Sequence, residues 1–254
     1  MHLKDTVAVV TGGGTGIGRA IALALAEAGA QAVVVNHSRS TEEAAATVAE
    51  LTDLGCTAVG IRADVGDDRQ VRDMAEQVRS RFGRIDILVN NAAITHAVPH
   101  EDLDGLTDEI FGRILDVNVL GPFRLVRAFA QDLKAARGAV VNIASISGYR
   151  AGGSSIAYGV SKAALLQLTR NLAVALAPEV RVNTIAPGTV ATRWQTDLHG
   201  TTGFAERAEA ERESVPLRQT SQPEHIAQAV LAVLTMDMVT GEALIVDGGK
   251  HVRY

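Results

Sequence analysis

Seven short runs rich in branched apolar residues, at 7–10, 32–35, 57–62, 85–89, 139–143, 180–186 and 243–246, recur along this chain with longer, helix-patterned segments between them. The runs do not alternate apolar with polar, which is how a strand buried on both faces reads, and such strands belong to parallel sheets covered by helices. Parallel neighbours can be joined only by a long crossover, usually a helix. The segments 17–28, 41–54, 67–82, 108–133, 158–176 and 223–234 have the length and apolar spacing to be those crossovers. The alternation therefore predicts an α/β chain: a doubly wound, seven-stranded parallel sheet flanked by helices on both faces. Nothing reads as a linker, a repeat or a low-complexity tract, and 254 residues with 47% apolar content supply one core, so a single domain is expected over 1–254.

One stretch breaks the rhythm. From 189 to 215 there is no strand pattern, only a polar, partly helical segment containing Trp194. Placed after the carboxyl end of a strand, it reads as a candidate substrate lid, the alternative being a surface helix that never meets substrate. A net charge of -5 with scattered arginines gives no basic footprint for nucleic acid or an anionic membrane. The start has no apolar signal core and no apolar run approaches a membrane span, so a cytoplasmic location is expected. The lone Cys56 cannot form an internal disulfide, and the only histidine pair at helical ligand spacing, His96 and His100, flanks Pro99 in a loop, so no metal is expected.

The first run leads directly into Thr11-Gly12-Gly13-Gly14-Thr15-Gly16-Ile17-Gly18 and then into a helix with apolar positions at Ile17, Ile21 and Leu25. Strand, glycine turn and helix in this order make an anion site, because a pyrophosphate must approach the backbone N–H groups of a helix N-terminus and a β-carbon would block it. Gly12, Gly16 and Gly18 meet that need, with Thr15 and Ile17 between them; the spacing is not the strict G-x-G-x-x-G fingerprint, and a plain strand-to-helix turn is the alternative, but the flanking strand and helix make a Rossmann-type dinucleotide loop the expectation. The second run continues as Asn36-His37-Ser38-Arg39-Ser40, with no carboxylate where an NAD site places one on the ribose 2′-hydroxyl. Asn36, Ser38 and Arg39 offer donors and a cation suited to a 2′-phosphate, so NADP(H) is expected in preference to NAD(H), which stands as the alternative.

Tyr158 and Lys162 lie four apart in a helical pattern and so share a face. A phenol titrates near ~10, and a neighbouring ammonium is expected to lower that value into a useful range for proton exchange. Ser145 stands thirteen residues before Tyr158, just past the run 139–143, where a hydroxyl could hold a substrate carbonyl; Ser147, Ser154 and Ser155 are alternatives on sequence grounds.

TGGGTGIG, Asp64-Val65, Asn90-Asn91-Ala92-Ala93, Asn118, Ser145 with Tyr158 and Lys162, and Pro187-Gly188 together resemble the short-chain dehydrogenase/reductase family over essentially the whole chain, in the manner of its 3-oxoacyl-acyl-carrier-protein reductases. The resemblance implies that Asp64 bonds the adenine amino group, with Val65 beside it, and that Asn91, Ala92 and Ala93 lie along the cofactor. It also implies that Asn118 holds a water in a proton relay to Lys162, that Ser145 orients the substrate oxygen and that Tyr158 is the general acid or base. Lys162 would bind the nicotinamide ribose, the backbone around Val190 with Thr192 would hold the carboxamide, and Pro187 and Gly188 would also contact the cofactor. The implied activity is interconversion of a small-molecule carbonyl and a secondary alcohol by hydride transfer, in a homotetramer.

Three positions depart from the pattern: Ala93 stands for a glycine, Thr15 for a residue often basic in NADP-preferring members, and Val174 for an arginine that docks carrier protein. An NADP(H)-binding regulator without turnover is the different-class alternative, but it would have no need to keep Asn118, Ser145, Tyr158 and Lys162 together.

Overall fold

The structure, a computed structural model, describes residues 1–252; the domain expected over 1–254 therefore has its last two positions, Arg253 and Tyr254, outside the described residues. Strands β1 (Val7–Thr11), β2 (Ala32–His37), β3 (Thr57–Arg62), β4 (Ile87–Asn90), β5 (Ala139–Ile143), β6 (Arg181–Pro187) and β7 (Ala243–Val246) form one sheet in the order β3-β2-β1-β4-β5-β6-β7. Every neighbouring pair is parallel. The chain winds outward from β1 to one edge and then from β4 to the other. Their junction opens a crevice at the strands' carboxyl ends, where open α/β sheets bind ligands.

The helices are α1 (Gly16–Glu27), α2 (Thr41–Asp53), α3 (Asp68–Phe82), α4 (Asp108–Leu115), α5 (Gly121–Ala136), α6 (Ile156–Leu176), α7 (Arg193–Ser214) and α8 (Pro223–Thr235). Their ends follow local chemistry. Asp67 caps α3 by accepting from the N–H groups of Arg69 and Gln70, and Gly83 closes it with φ of 69°. Alternate residues of the central strands feed two cores: Ala8, Val10, Val33, Val35, Ile87 and Val89 pack with α1 and α8, whereas Val9, Val34, Leu88 and Val140 pack with α3 and α5.

Two expectations are corrected. Burial on both faces holds for the central strands, but β3 and β7 are partly exposed because each lacks a neighbour on one side. The single helix expected over 108–133 is interrupted by a π turn at Asp116–Leu120. Pro122 has no N–H to give the carbonyl four residues back, that of Asn118, so the regular ladder cannot run through this point.

Candidate active site

A cleft of about 320 Å³ lies at the carboxyl ends of the central strands, lined at its floor by the glycine loop. Gly12 and Gly16 sit at φ of 62° and 51°, a region side-chain-bearing residues rarely adopt. Gly18 is needed for a different reason. A β-carbon there would lie 2.1 Å from the Gly12 carbonyl oxygen and 2.6 Å from Asn91 Nδ2, so helix and loop could not close together. Thr15 precedes α1 in extended conformation and makes no side-chain capping bond, which leaves first-turn N–H groups to a ligand. Asn91 Nδ2 donates to the carbonyls of Thr11 (2.9 Å) and Gly12 (3.2 Å), while the N–H groups of Asn91 and Ala92 both donate to Thr11 Oγ1 at 3.0 Å. Thr11, which sequence reasoning missed, is thus the knot between β1 and β4; a hydroxyl at the last residue of a buried strand was the available signal. Ala93 keeps an ordinary negative φ, so the methyl group that replaces a glycine is accommodated.

The nucleotide end departs further from expectation. Ser38 and Arg39 line the cleft, and so does His37, a buried residue whose two ring nitrogens have no hydrogen-bond partner among the described residues. Asn36 does not line it. Its Nδ2 turns inward and donates to the carbonyls of Ala63 (3.0 Å) and Ile61 (3.3 Å), holding β3 against β2, which corrects its assignment as a phosphate donor. Asp64 and Val65 also stand outside the cleft wall. Asp64 accepts from the Gly66 N–H at 2.9 Å and pairs with Arg113, and Val65 is buried in the core against Gly121.

At the other end, Ser145 follows β5, and its Oγ accepts from the Ser147 N–H at 3.1 Å. Of the four candidate serines it is the one that lines the cleft; Ser155 instead caps α6 by accepting from the Tyr158 N–H at 3.3 Å. Tyr158 and Lys162 enter the cleft one turn apart on α6, with Nζ 5.5 Å from the tyrosine ring centroid. Lys162 is buried and donates to the Ile143 carbonyl at 2.9 Å. Burial pushes its ammonium down to about 8. Burial likewise pushes Tyr158 up to about 12, opposed by a hydrogen bond from Ser145. This reverses the expected lowering of the phenol. The ammonium donates to a backbone carbonyl, and loss of solvent is the largest influence on the phenol.

Asn118 sits in the π turn, buried, outside the cleft wall. Its side chain is bound on both ends: Oδ1 accepts from the Ile94 N–H (2.9 Å), and Nδ2 donates to the Ile94 carbonyl and Ser161 Oγ (both 3.0 Å). Its backbone carbonyl is denied the regular donor four residues on, because that residue is Pro122.

Pro187, Gly188, Val190 and Thr192 line the cleft. The segment 189–215, read as partly helical, is almost wholly α7, a 22-residue helix kinked at Gly200. Trp194 on its first turn meets the Tyr158 ring at 6.1 Å between centroids, tilted by 48°. Its far end is anchored by a buried carboxylate: Glu211 pairs with Lys250 and accepts from Thr189 Oγ1 (2.5 Å) and Thr220 Oγ1 (2.9 Å). His96 and Tyr149 do not line the cleft.

The residues that fit a dinucleotide are therefore a cradle a β-carbon would fill and an uncapped helix N-terminus, with a hydroxyl and an amine at the far end. No helix among the described residues is long and apolar enough to cross a membrane, and no group of His, Cys, Asp and Glu there could hold a metal.

The family model described as enoyl-(acyl carrier protein) reductase matches residues 12–251. A protein provisionally named ketoacyl reductase 2 of the granaticin polyketide synthase, from Streptomyces violaceoruber, is 42% identical over 97% of this chain and 96% of its own length. A 3-oxoacyl-[acyl-carrier-protein] reductase of Synechocystis is 35% identical over 97% of both chains. The crystal structure of a short-chain dehydrogenase from Burkholderia cenocepacia in complex with NADP superposes with a TM-score of 0.88 at 35% identity, covering 98% of this chain and 99% of that one.

Proposed function

The chain belongs to the short-chain dehydrogenase/reductase family, enzymes acting on CH–OH groups with NAD(P), and from that premise we propose that it is an NADP(H)-dependent ketoreductase. The observation that carries the reading is the placement of Ser145, Tyr158 and Lys162 together at one end of a cleft whose other end is the glycine cradle. The cofactor supplies or accepts the hydride when bound. Gly12, Thr15, Gly16 and Ile17 hold its pyrophosphate on the α1 N-terminus, Ser38 and Arg39 its 2′-phosphate, and Asn91, Ala92, Ala93, Pro187, Gly188, Val190 and Thr192 enclose its nicotinamide half.

Ser145 donates a hydrogen bond to the substrate oxygen, and the Tyr158 hydroxyl gives its proton to that oxygen as negative charge develops there. A phenol that burial keeps protonated is able to act as the proton donor when a carbonyl is reduced. Lys162 holds the ribose and resupplies Tyr158, through a water on the Asn118 carbonyl. The first turns of α7, with Trp194 over Tyr158, exclude solvent as a lid.

A second reading, reduction of 3-oxoacyl groups on a carrier protein, is favoured by the relatives named above. Val174 counts against it: this apolar side chain is 82% exposed on α6 where a docking arginine would stand. Val160 on α6 and Leu120 and Phe123 beside it are also exposed, which fits a homotetramer that covers them; a stable monomer in sedimentation would contradict it.

The test of function is a screen of NADPH and NADH oxidation against ketones, 3-oxoacyl thioesters, steroids, quinones and sugars. Turnover with a ketone and NADPH is the expected result. Cofactor binding without turnover of any carbonyl would favour a regulatory role instead.

A further inference from the structure

The lid helix touches three walls of the cleft with three consecutive residues. Thr192 lies over the glycine loop, where a β-carbon on Gly16 would come within 3.2 Å of its Cγ2. Trp194 meets Tyr158 at 6.1 Å. Between them, Arg193 crosses to the start of α2, pairs with Glu43 at 2.5 Å and approaches Ser40 Oγ at 3.4 Å. Arg193 and Ser40 line the cleft together with Ser38 and Arg39, whereas Glu43 does not.

This contact is a weak brace. Its partners are 55% and 40% exposed, and ion pairs in water contribute little to stability. Glu43 lies in the first turn of α2, where the helix dipole favours a carboxylate with or without its arginine. A phosphate, in contrast, takes a guanidinium through two parallel hydrogen bonds. Arg39, with no side-chain hydrogen bond or ion pair among the described residues, supplies a second cation in the same wall.

We propose that Arg193 is a phosphate ligand borne by the lid: it exchanges Glu43 for the 2′-phosphate of NADP(H), so that the group distinguishing NADP(H) from NAD(H) fastens the first turn of α7 across the cleft. Glu43 is then a competitor of the ligand and not a support for it. The inference rests on the NADP(H) reading above and adds the residue that links cofactor choice to the lid.

The two ends of the ion pair separate this role from a structural one. If the pair only braces the lid, Arg193→Gln and Glu43→Gln break the same contact and shift binding in the same direction. If Arg193 holds the phosphate, Arg193→Gln weakens binding of 2′,5′-ADP about tenfold, and Glu43→Gln tightens it about threefold by removing the competing carboxylate. AMP, which is 2′,5′-ADP without the 2′-phosphate, binds both variants as it binds the wild type. Trp194 is the single tryptophan of the chain and the next residue along, so its emission reports the event directly, with calorimetry as the second measurement and circular dichroism to establish folding. Shifts of the same sign in both variants, or equal losses for AMP and 2′,5′-ADP, overturn the proposal. A wild type that does not prefer 2′,5′-ADP overturns the NADP(H) reading with it. A wild-type preference that survives in Arg193→Gln leaves that reading on Arg39 and removes Arg193.

Discussion

Replacing Lys162 by Met tests the electrostatics of the site without any substrate. The fall from the ordinary lysine value of 10.5 to about 8 corresponds, at ~1.4 kcal/mol per pH unit, to about 3 kcal/mol by which the buried ammonium destabilises the native state. Below about pH 8 both native and unfolded chains hold the proton, and this penalty is present in full. Between about 8 and 10.5 the native state has released it while the unfolded chain has not, so stability rises with pH; above 10.5 the penalty is gone. Lys162→Met removes the charge but leaves the Ile143 carbonyl without its donor, at a cost of about 1 kcal/mol. The variant should therefore be about 2 kcal/mol more stable than wild type at neutral pH, with the advantage shrinking through the alkaline range and reversing near its end. Urea unfolding of both proteins across that range measures it. A variant less stable than wild type at neutral pH, or a difference that does not change with pH, would refute the argument that burial governs this lysine.

Tyr158→Phe removes the proton donor and keeps the ring against Trp194, so kcat should fall by about 10²-fold or more while NADPH affinity stays within a few-fold; steady-state rates and fluorescence titration check both halves. Gly18→Ala forces a methyl group against the Gly12 carbonyl and should cost about 1–3 kcal/mol of stability and weaken NADPH at least about tenfold, whereas unaltered binding would show that loop and helix can separate. Burial alone would raise Glu211, but hydrogen bonds from Lys250, Thr189 and Thr220 and the Lys250 charge hold it below the usual range. Its contribution is therefore complete above the unfolded value near ~4.3 and is lost as pH falls through the native one. Glu211→Gln should destabilise by about 2 kcal/mol at neutral pH, and by progressively less on acidification, in thermal unfolding followed across the acid range.

The parts of the site legible beforehand are those written by local spacing. The glycine turn between a strand and a helix, and the Tyr158–Lys162 pair on one helical face, each depend on neighbours within a few residues, and the structure brings both to one cleft. Asn36 and Asp64 illustrate the opposite case. Both have the chemistry and the sequence position to touch a nucleotide, but their partners lie far off in sequence: Asn36 donates to the carbonyls of Ile61 and Ala63, and Asp64 pairs with Arg113, 49 residues away.

Seven strands in succession along the chain, their helical crossovers, a parallel sheet and the glycine turn of the cleft are all written in local patterns, because apolar runs and turn residues record how each element meets a core. Only the tertiary structure decided which polar groups stay free to face a ligand and which way the ionisable ones shift. Hydrogen-bond partners such as Arg193 and Glu43 lie 150 residues apart, and the burial that raises Tyr158 and lowers Lys162 is a sum over atoms from every element around the cleft. No local pattern contains that sum.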